Sequence, residues 1–332
     1  MSRILTGIQS TGIPHIGNLL GVMLPTIKNS KTSLKEVFIL IADLHSFTNI
    51  KSIKNIKNNT YKIAAAWLAC GLKLDKAILY RQSDIPQITE LFWFLNCFFP
   101  YQRLKLSHSF KSKNNINTGL FTYPILMAAD ILLFDSKIVF VGKDQLQHIE
   151  ITRKIAKKIN NQIKNLFLIP EAKIKKTSMA IPGIDGYKMS KSRKNTIDIF
   201  SSKEKIKTQI MKIHTSSNST FSKKNLKNEI IYNIYKLLFN KKYFCLFEKK
   251  LMEDPSYEKA KIKLYKHILC FFSNERKKFN FYIKNIKIID SILEKGAQKA
   301  RKIAINTINK VRSVLRKRFF NNKIKYCKLF IL

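Results

Sequence analysis

The first 160 residues of the chain alternate short apolar runs with helix-like stretches. The runs are rich in β-branched and aromatic residues, as strands are. Strands separated by helices favour a parallel sheet covered by its crossover helices. We predict strands at residues 4–6, 36–42, 77–81 and 138–141.

Between these runs the apolar residues recur at helical spacing, and several stretches carry helix-end signals. Gly71 follows an alanine-rich stretch and is a typical helix stop. Pro124 is expected in the first turn of another helix, where proline is tolerated. We predict helices at residues 60–70, 89–99, 124–134 and 144–159.

The pattern changes after a loop at residues 182–195. The strand-like runs stop there, and lysine-rich amphipathic stretches such as 230–239 and 298–320 continue to the end. The predicted fold class is therefore α/β, with a parallel-sheet domain followed by an all-helical C-terminal part.

Charge is the most unusual feature of the composition. The chain has 62 Lys and Arg against 21 Asp and Glu, a net charge of +41. Nucleic-acid binding is one explanation. Genomic A+T bias is the other, because Lys, Asn, Ile and Phe abound while the 10 glycines compare with roughly 23 at ordinary usage. Residues 193–332 hold 35 basic and 10 acidic side chains, which makes this part about twice as charge-dense as the rest.

Several protein classes are disfavoured. The sequence lacks an apolar run near the roughly 18 residues of a membrane helix, and its first residues do not resemble a secretion signal. The five cysteines are scattered without metal-binding spacing. We expect a cytoplasmic protein with reduced, mostly buried thiols, without a membrane partner or a tightly bound metal.

A glycine-rich segment, residues 6–18, follows the first predicted strand. It reads TGIQSTGIPHIGN and leads into an apolar run at Leu19. Glycine lets a backbone approach a ligand closely, and a strand-to-helix turn presents free N–H groups to a phosphate. The segment predicts a phosphate site in which His15 donates a hydrogen bond. The alternative is that His15 is an ordinary loop residue, and the spacing matches neither standard phosphate-loop pattern.

A second candidate segment is GYKMSKS at residues 186–192. It follows Pro182 and Gly183 and is therefore expected on a loop. Two lysines among small hydroxyl residues suit a polyphosphate whose charge shifts during reaction. The alternative is a solvated charge run, which the specific order of these residues argues against.

Together these segments resemble the class I aminoacyl-tRNA synthetases, and their bacterial tryptophanyl branch in particular. The resemblance is colinear from residue 3 to about 200 and continues weakly to GAQKARKIA at 296–304. It rests on GIQSTGIPHIGN at 7–18, GLFTYPILMAADILLF at 119–134, VGKDQLQHIEITRKIA at 141–156 and PGIDGYKMSKS at 182–192.

The resemblance implies an organisation and a set of partners. It implies a Rossmann-like catalytic domain at residues 1–195, a helical anticodon-binding domain at 196–295, and a C-terminal helix at 296–332 that packs back on the catalytic domain. The implied activity joins tryptophan to tRNA(Trp). The implied substrates are L-tryptophan and ATP with Mg²⁺, and the implied assembly is a homodimer.

The resemblance also implies roles for individual residues. Lys188, Lys191, Ser192 and His15 would act in catalysis. The ATP site would consist of Gln9, Ser10, Thr11, Gly17, Asn18, Gly142, Lys143, Asp144, Ile181, Lys188, Met189, Ser190, Lys191 and Ser192. Tryptophan would be bound by Asp130, Tyr123, Met127, His45, Gln145 and Gly7.

Asp130 can also be argued from its neighbours in the sequence. It stands in an apolar helical stretch, where an acid is costly to bury unless it is paired. A buried acceptor for the indole N–H would reject phenylalanine, which has no donor to offer. The alternative is an exposed or helix-capping acid.

Three positions depart from the family pattern: Lys143 replaces an acid, Leu44 stands where glutamine is usual, and Leu5 stands where phenylalanine is common. Other functions remain open on sequence grounds. The chain could be a tyrosyl-type synthetase, a smaller nucleotidyltransferase, or a non-catalytic RNA-binding relative.

Overall fold

A computed structural model describes residues 3–32, 36–49, 53–107, 116–163, 165–173, 181–215, 229–239 and 241–327. Its centre is a five-stranded parallel sheet with the order β3-β2-β1-β4-β5. The strands are β1 (Ile4–Gln9), β2 (Val37–Ala42), β3 (Ala77–Arg81), β4 (Ile138–Phe140) and β5 (Glu171–Lys173).

The four predicted strands are confirmed, and β5 is an addition. Its sequence, Glu-Ala-Lys, has one small apolar residue between two exposed charged ones. Such a segment carries no hydrophobic signal. It becomes a strand because its backbone bonds to β4 at the edge of the sheet.

Helices connect the strands and cover both faces of the sheet. They are α1 (Ile16–Asn18), α2 (Leu24–Thr32), α3 (Asp43–Ser46), α4 (Ile53–Ala69), α5 (Pro86–Phe98), α6 (Tyr101–Lys105), α7 (Thr118–Leu132) and α8 (Leu146–Gln162). A π-helical segment, Leu19–Met23, joins α1 to α2.

The predicted start of α7 at Pro124 is wrong. The helix begins at Thr118, because the Asn117 side chain accepts a hydrogen bond from the Leu120 N–H at 2.8 Å and caps it. Pro124 lies inside the helix and is buried. Its ring nitrogen cannot donate to the carbonyl four residues earlier, and tertiary packing outweighs that loss.

The second part of the chain is helical in the residues described, as predicted. Its helices are α9 (Lys203–Met211), α10 (Ile230–Leu238), α11 (Lys241–Glu253), α12 (Tyr257–Phe271), α13 (Ser273–Lys284) and α14 (Ile286–Cys327). The core on one sheet face, around Ile39 and Trp67, continues into α9–α13. The domain boundaries at residues 195 and 295 stay a prediction.

Helix α14 runs along the edge of the sheet beside β3. Its first turns bury Ile289 and Leu293 in one core cluster, and its later turns bury Ala300 and Ile308 in the cluster on the opposite face. The helix therefore covers an edge strand, which would otherwise expose unpaired backbone groups.

The expectation of buried thiols is wrong for most of the described cysteines. Cys97, Cys245 and Cys270 are exposed, and Cys70 is half-buried; all four are free. Each exposed cysteine lies on an amphipathic helix surface (α5, α11 or α12). No helix in the described ranges is long and apolar enough to cross a membrane.

Candidate active site

The candidate site lies at the carboxyl edge of the sheet. Strands β2 and β3 lie on one side of β1, and β4 and β5 lie on the other, so the strand order switches between β1 and β4. Open parallel sheets bind ligands in the crevice at such a switch point. Gln9 ends β1, and Gly142 follows β4 by two residues. Gly7 is exposed although β1 is the central strand, so this strand borders an open space.

The glycine-rich loop runs from β1 to α1. Gly12 has a φ of +138°, a conformation that residues with a side chain rarely adopt. Its carbonyl accepts a 2.8 Å hydrogen bond from Lys191 Nζ. The two predicted phosphate-binding segments therefore meet at this backbone position, 179 residues apart in sequence.

His15 is buried at the start of α1, and its ring lies against Gly17. A Cβ on Gly17 would be 2.7 Å from two ring atoms of His15, so a side chain there would force the buried ring to move. Burial, and then the charge of Lys191, lower the pKa of His15 to about 4 against the opposing effect of Asp198. The imidazole is therefore neutral at pH 7, and its Nδ1 has no partner within the described residues.

The KMSKS segment is held by a buried residue that sequence reasoning missed. The Asn195 Oδ1 accepts from the Ser190 N–H at 2.7 Å, and its Nδ2 donates to Asp185 Oδ1 at 2.7 Å and to the Lys188 carbonyl at 3.2 Å. Gly183 packs so closely on Asn195 that a Cβ there would lie 2.3 Å from Nδ2. The Asn195 amide thus holds Asp185, Lys188 and Ser190 in fixed positions relative to one another.

The two signature lysines have different environments. Lys191 is half-buried, and burial lowers its pKa to about 8 against a smaller opposing effect of Asp198. Lys188 is exposed, and its Nζ lies 3.2 Å from Asp144 Oδ1. Partial burial disfavours the ionised Asp144, but hydrogen bonds from Gln145 and Lys188 together lower its pKa.

The remaining predicted nucleotide residues surround these loops. Ser10 is buried and its hydroxyl is hydrogen-bonded to the Thr60 hydroxyl at 2.9 Å, so this hydroxyl already has a partner inside the fold.

Asn18 Oδ1 accepts from the His15 N–H at 3.2 Å. The Ile181 carbonyl accepts from the Met189 N–H at 2.9 Å. Thr11 and Ser192 are exposed. The Lys143 side chain lies outside the described residues.

Of the predicted tryptophan residues, the structure places His45 and Tyr123 beside Asp130. This carboxylate is only 2% exposed and accepts from His45 Nε2 at 2.8 Å. Tyr123 lies about two turns before Asp130 on α7, and its ring packs on the His45 ring, with centroids 4.5 Å apart. Its hydroxyl is 3.5 Å from Gln9 Nε2. Met127 is half-buried one turn before Asp130, and Gln145 Nε2 donates to Asp144 Oδ2 at 3.0 Å.

Gln82 and His148 also belong to this cluster and were missed. Gln82 Nε2 donates to both oxygens of Asp130, at 2.9 and 3.0 Å. His148 packs on Tyr123 with centroids 5.3 Å apart, and burial is the main cause of its pKa of about 4. Gln82 directly follows β3. A search for polar residues just past each predicted strand would have found it.

The environment of Asp130 decides its charge. Burial raises the pKa of this carboxyl, while hydrogen bonds from His45 and Gln82 oppose the rise. A buried carboxylate bonded only to donors is a strong hydrogen-bond acceptor. In its ionised form such a group suits an N–H or O–H donor.

Comparisons with known proteins point to one family. The family model for class I tRNA synthetases (W and Y) matches residues 1–308. The tryptophan–tRNA ligase of Fusobacterium nucleatum is 43% identical over 321 residues, which covers 95% of this chain and 98% of that protein.

Solved structures give the same result. The Campylobacter jejuni tryptophanyl-tRNA synthetase complexed with ADP and tryptophan matches with a TM-score of 0.86 and 39% identity, covering 94% of this chain and 98% of that one. The Mycoplasma pneumoniae tryptophanyl-tRNA synthetase matches with a TM-score of 0.80 and 29% identity, covering 95% and 98%.

Proposed function

The chain belongs to the class I tRNA synthetases for tryptophan and tyrosine, and on that basis we propose how its own residues divide the reaction. It activates L-tryptophan with ATP to tryptophanyl-adenylate and pyrophosphate, and then transfers tryptophan to the 3′ end of tRNA(Trp). The choice of tryptophan rests on near full-length similarity to tryptophan–tRNA ligases, and it agrees with a buried acceptor at Asp130.

In the first step the tryptophan carboxylate attacks the α-phosphorus of ATP and pyrophosphate leaves. This reaction needs no covalent enzyme intermediate, so positioning and charge stabilisation supply the catalysis. Lys191 bridges to the glycine-rich loop and is placed to stabilise charge on the leaving pyrophosphate. Lys188 and Ser192 complete the loop over the phosphates, and neutral His15 hydrogen-bonds a phosphate oxygen.

The remaining nucleotide contacts are assigned to the two loops that flank β1 and β4. Backbone groups carry much of this binding, since the Ser10 hydroxyl is engaged with Thr60 and the Ile181 carbonyl with Met189. The proposed set is Gln9, Ser10, Thr11, Gly17, Asn18, Gly142, Lys143, Asp144, Ile181, Met189 and Ser190. Mg²⁺ would enter bound to the ATP phosphates and neutralise part of their charge.

The amino acid would lie over β1 with its indole directed at α7. Asp130 accepts the indole N–H, because its carboxylate is buried and already fixed by two donors. Gly7 leaves the space above β1 open. Tyr123, Met127, His45 and Gln145 would surround the substrate.

The helical part of the chain would bind tRNA(Trp). Residues 193–332 carry 35 basic and 10 acidic side chains, which suits contacts to phosphates. We place the anticodon-binding domain at residues 196–295. We also propose action in the cytoplasm, and three exposed free cysteines fit a reducing compartment.

We further propose a homodimer formed through the outer surface of α5 and α6. Trp93 is 67% exposed there, Tyr101 60% and Leu106 66%. Large apolar side chains exposed on a surface are typical of protein interfaces, and a second copy of the chain is the simplest partner to cover them.

The dimer surface can be tested with a charge. Trp93→Asp is expected to shift the protein from dimer to monomer in analytical ultracentrifugation at micromolar concentration, because a carboxylate is costly to bury unpaired. Tyr243→Asp is the matched control, since Tyr243 is also a largely exposed aromatic, 56% exposed on α11. A Trp93→Asp protein that sediments like the wild type would place the interface elsewhere.

Amino-acid-dependent ATP–pyrophosphate exchange tests the function itself. We expect exchange with tryptophan. Exchange with phenylalanine should be slower by roughly 10⁴-fold or more, because phenylalanine leaves the acceptor at Asp130 unpaired. Exchange with tyrosine instead would indicate a tyrosyl-type enzyme. Absence of exchange with every amino acid, in a preparation that still binds tRNA, would indicate a non-catalytic relative.

A further inference from the structure

Gln82 is a completely buried side chain that joins three elements of the fold. It follows β3, and its Oε1 accepts a hydrogen bond from the His45 N–H of α3 at 3.2 Å. Its Nε2 donates to both oxygens of Asp130 on α7. Because a backbone N–H must meet the amide oxygen, the amide nitrogen is directed at Asp130.

The lone pairs of Asp130 are almost fully assigned. An ionised carboxylate has about four acceptor sites on two oxygens. Oδ2 receives donors from His45 at 2.8 Å and from Gln82 at 3.0 Å, while Oδ1 receives only Gln82, at 2.9 Å, among the described residues. Oδ1 therefore keeps an acceptor site for one more donor, which a ligand can supply.

Without the Gln82 amide this arrangement would change. A buried carboxyl with fewer donors binds a proton more readily. A protonated Asp130 would itself become a donor, and it would face an indole N–H that can only donate. Asp130 would also lose the hydrogen bond from Gln82, which follows β3 and helps to fix the orientation of the carboxylate.

We propose that Gln82 is a positioning residue for tryptophan selection, which keeps the Asp130 carboxylate aimed at the indole N–H. This proposal rests on the role of Asp130 proposed above. It predicts that loss of the Gln82 amide weakens the preference for a ring that carries an N–H donor. General activity is a separate quantity, since Gln82 has no role in the phosphate chemistry.

The test compares tryptophan with β-(3-benzothienyl)alanine, in which sulfur replaces the indole N–H at nearly the same size. The measured quantity is the ratio of the two kcat/KM values in pyrophosphate exchange. In the wild type it should be roughly 10³ to 10⁵. Gln82→Met, which keeps the length and removes the amide, should lower the ratio by roughly 10- to 100-fold. An unchanged ratio would overturn the proposal.

A matched control separates this role from a structural one. The Asn160 amide also clamps a backbone segment, through 2.8 and 2.9 Å bonds to the Phe167 carbonyl and N–H. Asn160→Leu is expected to lower stability and leave the ratio unchanged. If Gln82→Met does not fold, Gln82→Asn, whose amide is one methylene short of Asp130, must lower the ratio in the same direction.

Asp130→Asn distinguishes the two levels of the proposal. A wild-type ratio near one, unchanged by Asp130→Asn, would refute the role of Asp130 itself. A ratio that collapses in Asp130→Asn but not in Gln82→Met would leave Asp130 as the acceptor and refute only Gln82. A collapse in both variants supports both assignments.

Discussion

Lys191→Ala is expected to lower kcat for tryptophan-dependent pyrophosphate exchange by roughly 10²- to 10³-fold, with a change of less than about threefold in KM for ATP. The Lys191 ammonium bridges the KMSKS loop to the Gly12 carbonyl. It is half-buried, so its charge acts where water screens it less. Charge on pyrophosphate grows as the bond to the α-phosphorus breaks, and an interaction that strengthens during that step appears in kcat.

The control for this prediction is a lysine outside the site. Lys212 is exposed at the end of α9, and Lys212→Ala removes the same charge from the molecule. It should leave both kinetic constants near wild type. A Lys191→Ala enzyme with unchanged kcat and a raised KM for ATP would show that Lys191 contributes to ground-state binding only.

The same residue predicts a pH dependence. Burial depresses the pKa of Lys191 to about 8 in the free protein, so the ammonium loses its proton as pH rises through that value. The kcat/KM for ATP, which reports free-enzyme ionisations, should therefore fall above pH 8. The fall should be absent from the profile of Lys191→Ala.

The sequence predicted the central strands because their apolar runs are long and unambiguous. Local sequence signals gave the wrong result where tertiary contacts determine the secondary structure. The backbone of β5 pairs with β4 without an apolar pattern, and Pro124 is held inside α7 although proline ordinarily marks a helix start. Local propensity cannot register either effect.

In the candidate site, too, residues in local motifs were predicted and residues that act through distant contacts were not. The motif residues His15 and Lys191 were found because each stands in a compact local segment, and the structure brings them together at one end of the sheet. The amides of Asn195 and Gln82 were missed. Each acts by joining segments distant in sequence, and an isolated Asn or Gln gives no indication of such partners.

Gly296→Ala is expected to be the most destabilising of these substitutions. This glycine lies where α14 crosses the edge strand, and a Cβ there would be 1.9 Å from the Leu79 carbonyl oxygen and 2.9 Å from its carbon. Backbone atoms of a strand cannot move aside independently. The helix must therefore shift away from β3, with loss of the packing of Ala297 and Ala300.

The expected cost is about 3 kcal/mol or more in the free energy of unfolding, measured by urea denaturation. Gly21→Ala is the matched control, because it also replaces a helical glycine but meets nothing within 4 Å. It should be neutral or stabilising by up to about 1 kcal/mol. Equal effects of the two substitutions would mean that helix propensity alone governs position 296. A loss confined to Gly296→Ala would explain why the GAQKARKIA segment begins with glycine. At this position the backbone of α14 lies directly against the backbone of β3, and a side chain has no room.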